Sequence, residues 1–205
     1  MSIRTKEEQK NMSPDEAKQM LIEGNQRFIS NSPQQRSLLD EVNHSSSGQN
    51  PFATILSCID SRISAELVFD QGVGDVFSVR IAGNIINEDI LGSIEFATEV
   101  VGTKLILVLG HTSCGAIQGA CNGVELGHLT GLLNKIQPVI KSVKQHSDLS
   151  DNQLADQVAE ENVKHTMQGI RQQSPIINQL LQNNKIALLG AMYDVKTGKV
   201  EFLND

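Results

Sequence analysis

Apolar residues along this chain fall into two textures. In "FATILSCID", "DVFSVRIAG", "KLILVLG" and "KIALLGAMY" they run together over a few positions, the pattern of strands covered on both faces. Elsewhere they recur every three or four positions, as amphipathic helices require. "SPDEAKQMLIEGNQRFISN" predicts an opening helix, with Ser13 as cap, Pro14 in the first turn, and Asp15 and Glu16 at the positive end. Its apolar stripe is Met20, Leu21 and Phe28, interrupted by Gly24. "SPQQRSLLDEVNHSSSGQNP" is polar and rich in turn formers, and predicts a loop with one short helix. "ISAELVFDQG" predicts a short helix ending near Gly72, and "NEDILGSIEFATEVVG" a longer one stopped by Gly102. "SCGAIQGACNG" opens a helix directly after "KLILVLG". From Leu126 to Leu181 the chain reads as largely helical, with a kink predicted at Pro138. "KTGK" predicts a turn between the last two strands.

Strands alternating with helices imply an α/β fold with a mainly parallel sheet. The expectation is one domain over 1–205, built on about four strands flanked by helices. Within it, 13–50 forms an N-terminal helical arm and loop, 51–120 the core carrying the candidate chemistry, and 121–205 a helical region with the C-terminal strands.

Composition narrows the partners. Aromatics are 3% of the chain, with no Trp, so a stacking platform for single-stranded nucleic acid is disfavoured. A formal net charge of −7 disfavours nucleic acid and anionic membrane as partners. The amino-terminal stretch lacks the apolar core of a secretory signal, and "KLILVLG" is too short to span a bilayer. A cytoplasmic protein is expected. The three cysteines, Cys58, Cys114 and Cys121, cannot all pair within one chain, which favours thiols or metal ligands over a disulfide framework.

Two of the best strands end in residues that can bind a metal. Cys58 ends "FATILSC", and His111 ends "KLILVLGH", with Cys114 three positions later at a helix start. A cysteine in an apolar strand is usually core filler, and an isolated His-x-x-Cys carries little. Their combination at two strand ends, where open α/β sheets place their sites, points to a metal if the strands are neighbours. Two thiolates and one imidazole suit zinc, leaving a fourth position for water or a carboxylate.

"CIDSR" together with "HTSCG" resembles the zinc motif of the β-class carbonic anhydrases of bacterial type, Cys-x-Asp-x-Arg with His-x-x-Cys. "GNQRF", "QNPFATILSCIDSR", "FDQGVGDVFSVRIAGN", "SIEFA", "LVLGHTSCGA" and "YDVKTGKVEF" extend the likeness over roughly residues 20 to 203. The resemblance implies reversible hydration of carbon dioxide to bicarbonate, with one Zn2+ per subunit held by Cys58, His111 and Cys114. It implies that Asp60 and Arg62 are catalytic. Arg62 would hold Asp60 off the metal, and in a closed state Asp60 would become the fourth ligand. Gln49, Phe77, Phe96 and Gly115 match substrate-binding positions, Gln49 and Phe77 reaching in from a partner subunit. A homodimer or homotetramer with sites at the dimer interface follows. A regulatory bicarbonate pocket described in some members needs a Trp where this chain has Ile55, although Arg80 and Tyr193 match its other residues.

Two alternatives accompany this reading. One keeps the scaffold and changes the substrate to carbonyl sulfide or carbon disulfide. The other is a non-catalytic zinc protein closed by Asp60. His44, His128, His146 and His165 read as surface or capping residues, Cys121 as a packed thiol, and Glu160 and Glu161 as a solvated helix face.

Overall fold

The structure, a computed structural model, describes residues 4–146 and 150–204; residues 1–3, 147–149 and 205 of the expected domain lie outside the described residues. Five strands form one sheet: β1 (Ala53–Ser57), β2 (Val76–Arg80), β3 (Leu105–His111), β4 (Ala187–Tyr193) and β5 (Val200–Phe202). Their order is β2-β1-β3-β4-β5, with the first four parallel and β5 antiparallel to β4. The mainly parallel sheet is as expected, but there are five strands rather than about four. The fifth is the short return strand that the "KTGK" turn predicts, antiparallel to β4 at the edge of the sheet.

β1 and β3 are buried at every position, which explains their unbroken apolar runs. Successive side chains of β3 alternate between two cores. Leu105, Leu107 and Leu109 join Leu21, Phe52, Phe69 and Ile117 on one face. Ile106 and Val108 join Ile94, Val163, Ile170 and Ile177 on the other. Each fully buried Leu or Ile contributes about 1.5–3 kcal/mol by leaving water.

The helices, in chain order, are α1 (Lys6–Asn11), α2 (Pro14–Ile29), α3 (Leu38–Ser45), α4 (Ala65–Val68), α5 (Glu88–Glu95), α6 (Gly115–Cys121), α7 (Gly127–Asn134), α8 (Gln137–His146), α9 (Asp151–Gln173) and α10 (Pro175–Gln182). Ser13 caps α2 as its sequence predicts, accepting from the Glu16 amide while the Glu16 carboxylate returns the bond. α1 adds a helix the periodicity does not show, closed by the same kind of box at Thr5 and Glu8. α5 runs into a π-helical segment, Phe96–Val101, ended by left-handed Gly102. Pro138 marks a break rather than a kink: it sits in the first turn of α8, where a missing N–H costs nothing. α2 lies so close to the turn after α4 that a Cβ on Gly24 would overlap the backbone of Phe69. Among the described residues no helix is long and apolar enough to cross a membrane.

Candidate metal centre

β1 and β3 are neighbours in parallel register, with Ser57 beside Leu109. Both segments therefore leave the sheet at the same end, beyond the carboxyl termini of the strands. Cys58 follows β1 at once, His111 closes β3, and Cys114 stands at the start of α6. The register brings one ligand atom from each residue within 4.8 Å of the other two, and all three are buried. The two sulfurs are 4.0 Å apart. A tetrahedral ion bound by thiolates at about 2.3 Å would space them by about 3.8 Å, so the set fits such an ion.

His111 supplies a second test of fit. Its Nδ1 lies 3.0 Å from the Thr112 carbonyl oxygen, which can only accept, so Nδ1 carries the proton. Nε2 is then left with its lone pair, buried and without a protein partner. A backbone carbonyl fixing the far nitrogen is the usual support for a metal-binding imidazole.

The thiols polarise one another. The Cys114 thiol donates toward Cys58, whose pKa falls to about 4, with further help from the Gly83 N–H at 3.4 Å. Cys114 is pushed up in turn, first by its bond to the Cys58 thiolate and then by burial. The pair thus shares one proton, which a divalent cation between the sulfurs would displace.

Asp60 and Arg62 form a two-pronged pair beside this set. Arg62 Nε donates to Asp60 Oδ1 at 2.8 Å and a terminal guanidinium nitrogen to Oδ2 at 2.7 Å. The backbone N–H of Arg62 adds a third bond to Oδ1 at 3.0 Å. Arg62 thereby holds the Asp60 carboxyl down to about 2, well below the ordinary 3.9. The sign is that of a depressed acid: the pair's contribution to stability is in full force above about pH 4 and is lost as pH falls through about 2. Arg62 also donates to the Ser113 carbonyl at 3.2 Å, tying the β1 exit to the His111–Cys114 turn.

That turn is strained and held from outside. Ser113 has φ +55, and its N–H donates to Asp156 Oδ1 at 2.9 Å. Arg80 holds the other loop, donating to the carbonyls of Cys58 at 3.1 Å and Asp60 at 2.8 Å. Gly83, Asp156 and Asn162 were not singled out by the sequence, nor was this role of Arg80. One signal exists in hindsight: Asn162 occupies a core position of the α9 stripe, where a polar residue demands a partner.

The remaining expected residues are dispersed. Gly115 is exposed, with open space where a Cβ would stand. Gln49 is an exposed loop residue. Phe77 and Phe96 pair with each other, ring centroids 6.4 Å apart, in an open groove of about 800 Å3 along edge strand β2. None of Cys58, His111 and Cys114 lines that groove. His44 Nδ1 caps its own helix at the Asp40 carbonyl. Cys121 is half-buried against the first core. Glu160 and Glu161 pair with Lys164 at the surface.

Known proteins resemble the chain over most of its length. A family model described as carbonic anhydrase matches residues 53–200. Over 196 residues the chain is 37% identical to carbonic anhydrase 2 of Mycobacterium tuberculosis, covering 92% of each protein. Over 197 residues it is 34% identical to the carbonic anhydrase of Mycolicibacterium smegmatis, covering 93% of this chain and 94% of that one. The solved structure of a Coccomyxa β-carbonic anhydrase in complex with acetazolamide aligns with a TM-score of 0.72 at 26% identity, over 89% of this chain and 84% of that one. With both strand-end ligand segments inside the matched region, the chain belongs to the β class of the carbonic anhydrase family.

Proposed function

We propose that the protein is a zinc-dependent carbonic anhydrase that interconverts carbon dioxide and bicarbonate with release of a proton. The observation that carries this reading is the buried Cys58–His111–Cys114 set with an Arg62-bound carboxylate at its side. Two thiolates and an imidazole favour zinc over hard cations such as magnesium or calcium. When bound, zinc supplies a nucleophile at neutral pH by lowering the pKa of a water ligand to about 7.

The chain's own residues then have distinct tasks. Asp60, ionised and fixed by Arg62, accepts a hydrogen bond from the attacking water and orients its lone pair toward the substrate. Arg62 keeps both carboxylate oxygens engaged, so Asp60 stays out of the ligand set and the site is open. The exposed start of α6 at Gly115 leaves room for a substrate oxygen beside Cys114. Stopped-flow hydration with metal analysis on one sample tests the whole reading. The expected result is one zinc per chain and hydration that rises with pH. A zinc-loaded protein inactive even at alkaline pH would instead favour a non-catalytic zinc protein. Carbonyl sulfide hydrolysis on the same sample separates the sulfur substrates.

Asp60→Asn should retain zinc but lose most of the alkaline rise in rate, because an amide matches the shape but presents no carboxylate. A pH–rate profile that superposes on the wild type would remove Asp60 from the mechanism.

The substrate wall is assigned to a second subunit. Phe96 is 50% exposed and Val100 68% exposed next to the unpaired edge β2, an apolar surface suited to burial against a copy of this chain. In that arrangement Gln49 and Phe77 of one subunit serve the metal centre of the other, in a homodimer or in a homotetramer built as a dimer of dimers. Phe96→Arg should shift sedimentation toward the monomer and abolish hydration while zinc stays bound. An active monomer would refute the shared site.

A further inference from the structure

Helix α9 turns a stripe of Ala155, Val158, Ala159, Val163 and Ile170 toward the sheet, all buried. Two polar side chains interrupt it, Asn162 at 0% exposure and Thr166 at 2%. An amide buried among apolar groups is unfavourable unless it is bonded. Both side chains reach the turn that follows β2. Asn162 Nδ2 donates to the Gly83 carbonyl at 2.8 Å, and Thr166 Oγ1 donates to the Asn84 carbonyl at 3.2 Å. A carbonyl can only accept, so the amide of Asn162 must face Gly83 with its nitrogen. Its Oδ1 is left buried with no partner.

The turn so gripped is not one the chain adopts freely. Gly83 has φ +69 and Asn84 φ +41, both left-handed. A Cβ at Gly83 would also press on Ile136 Cδ1 at 3.1 Å. At its other end Gly83 turns its N–H to the Cys58 sulfur at 3.4 Å. One residue is therefore held at its carbonyl by α9 while its amide addresses a metal-ligand candidate.

We propose that Asn162 is a positioning residue for the metal centre, holding Gly83 in the conformation that aims its N–H at the Cys58 sulfur. An N–H donated to a thiolate draws charge from the sulfur and weakens its donation to an ion. Two thiolates nearly neutralise a divalent cation, so damping one of them keeps the ion electrophilic. The inference rests on reading Cys58 as a ligand.

Cobalt(II)-substituted protein tests it, since the thiolate-to-cobalt charge-transfer band reports the electron density on sulfur. Asn162→Leu, similarly branched though bulkier, removes the amide; Asn162→Ser stays polar but is too short to reach Gly83. In both, the band should move to lower energy, and zinc should be held at least as tightly against a chromophoric chelator, because the undamped sulfur donates more strongly. Val163→Ala loosens the same stretch of α9 without a bond to Gly83, and should leave band and affinity unchanged. If the Leu variant fails to fold, the Ser variant carries the measurement. An unmoved band in the Asn162 variants, or an equal shift in Val163→Ala, overturns the inference and leaves Asn162 a purely structural contact. A wild-type protein without any thiolate band overturns the ligand assignment itself.

Discussion

Cys58→Ser is expected to yield a folded protein that has lost both its metal and its carbon dioxide hydration. Serine is nearly isosteric with cysteine, and β1, which ends at Ser57, keeps its parallel ladders to β2 and β3 on either side. The fold therefore has no reason to fail. An alcohol, however, stays protonated at neutral pH and cannot replace a thiolate. Losing an outer-shell partner of a metal typically costs 10–100-fold in affinity or activity; losing a ligand itself should cost more than about a hundredfold in both. Metal analysis, stopped-flow hydration and a thermal melt on one preparation decide the matter. A variant that retained zinc and activity would show that Cys58 is not a ligand.

Gly24→Ala should be the most damaging single-methyl substitution for stability, lowering Tm by about 4–8 °C at unchanged metal stoichiometry. The sign is what makes the measurement informative. By helix propensity alone, replacing glycine with alanine inside a helix stabilises by about 1 kcal/mol. Here the added Cβ would come within 2.7 Å of the Phe69 carbonyl carbon, closer than real contacts allow. Neither side can yield easily. The Phe69 ring is fully buried and its carbonyl accepts from Gln71 Nε2 at 2.6 Å. Next to Gly24, Asn25 Nδ2 donates to the Val68 carbonyl at 3.1 Å and to that of Gly198 at 2.9 Å. Overpacking of this kind should cost about 3 kcal/mol, outweighing the propensity gain. A raised Tm would mean that α2 is free to shift.

Much of this was legible in the sequence because the relevant signals are local. Strand runs, the Ser13 cap and the His111–Cys114 spacing depend on neighbours in the chain, and each stands where the pattern puts it. Cys58 became readable only in combination, since its meaning depends on which strand lies beside β1. What escaped was non-local. Gly24 reads as a flaw in an apolar stripe until Phe69 is seen against it. Arg80, Asp156 and Asn162 act on backbone groups 20 or more residues away, through bonds no periodicity records. β5, by contrast, was legible from the turn before it: "KTGK" marks the hairpin, and the strand follows where that turn puts it.

The parallel pairing of β1 with β3 has a further consequence. Where a small domain lacks a core, ion binding and chain folding are a single event, and stripping the ion unfolds the protein. In this chain the ladder from Ala53–Leu105 to Ser57–Leu109 sets the two segments that carry the candidate ligands side by side. The strands' own backbone bonds and buried side chains, rather than an ion, are thus what the sheet uses to bring the two segments together.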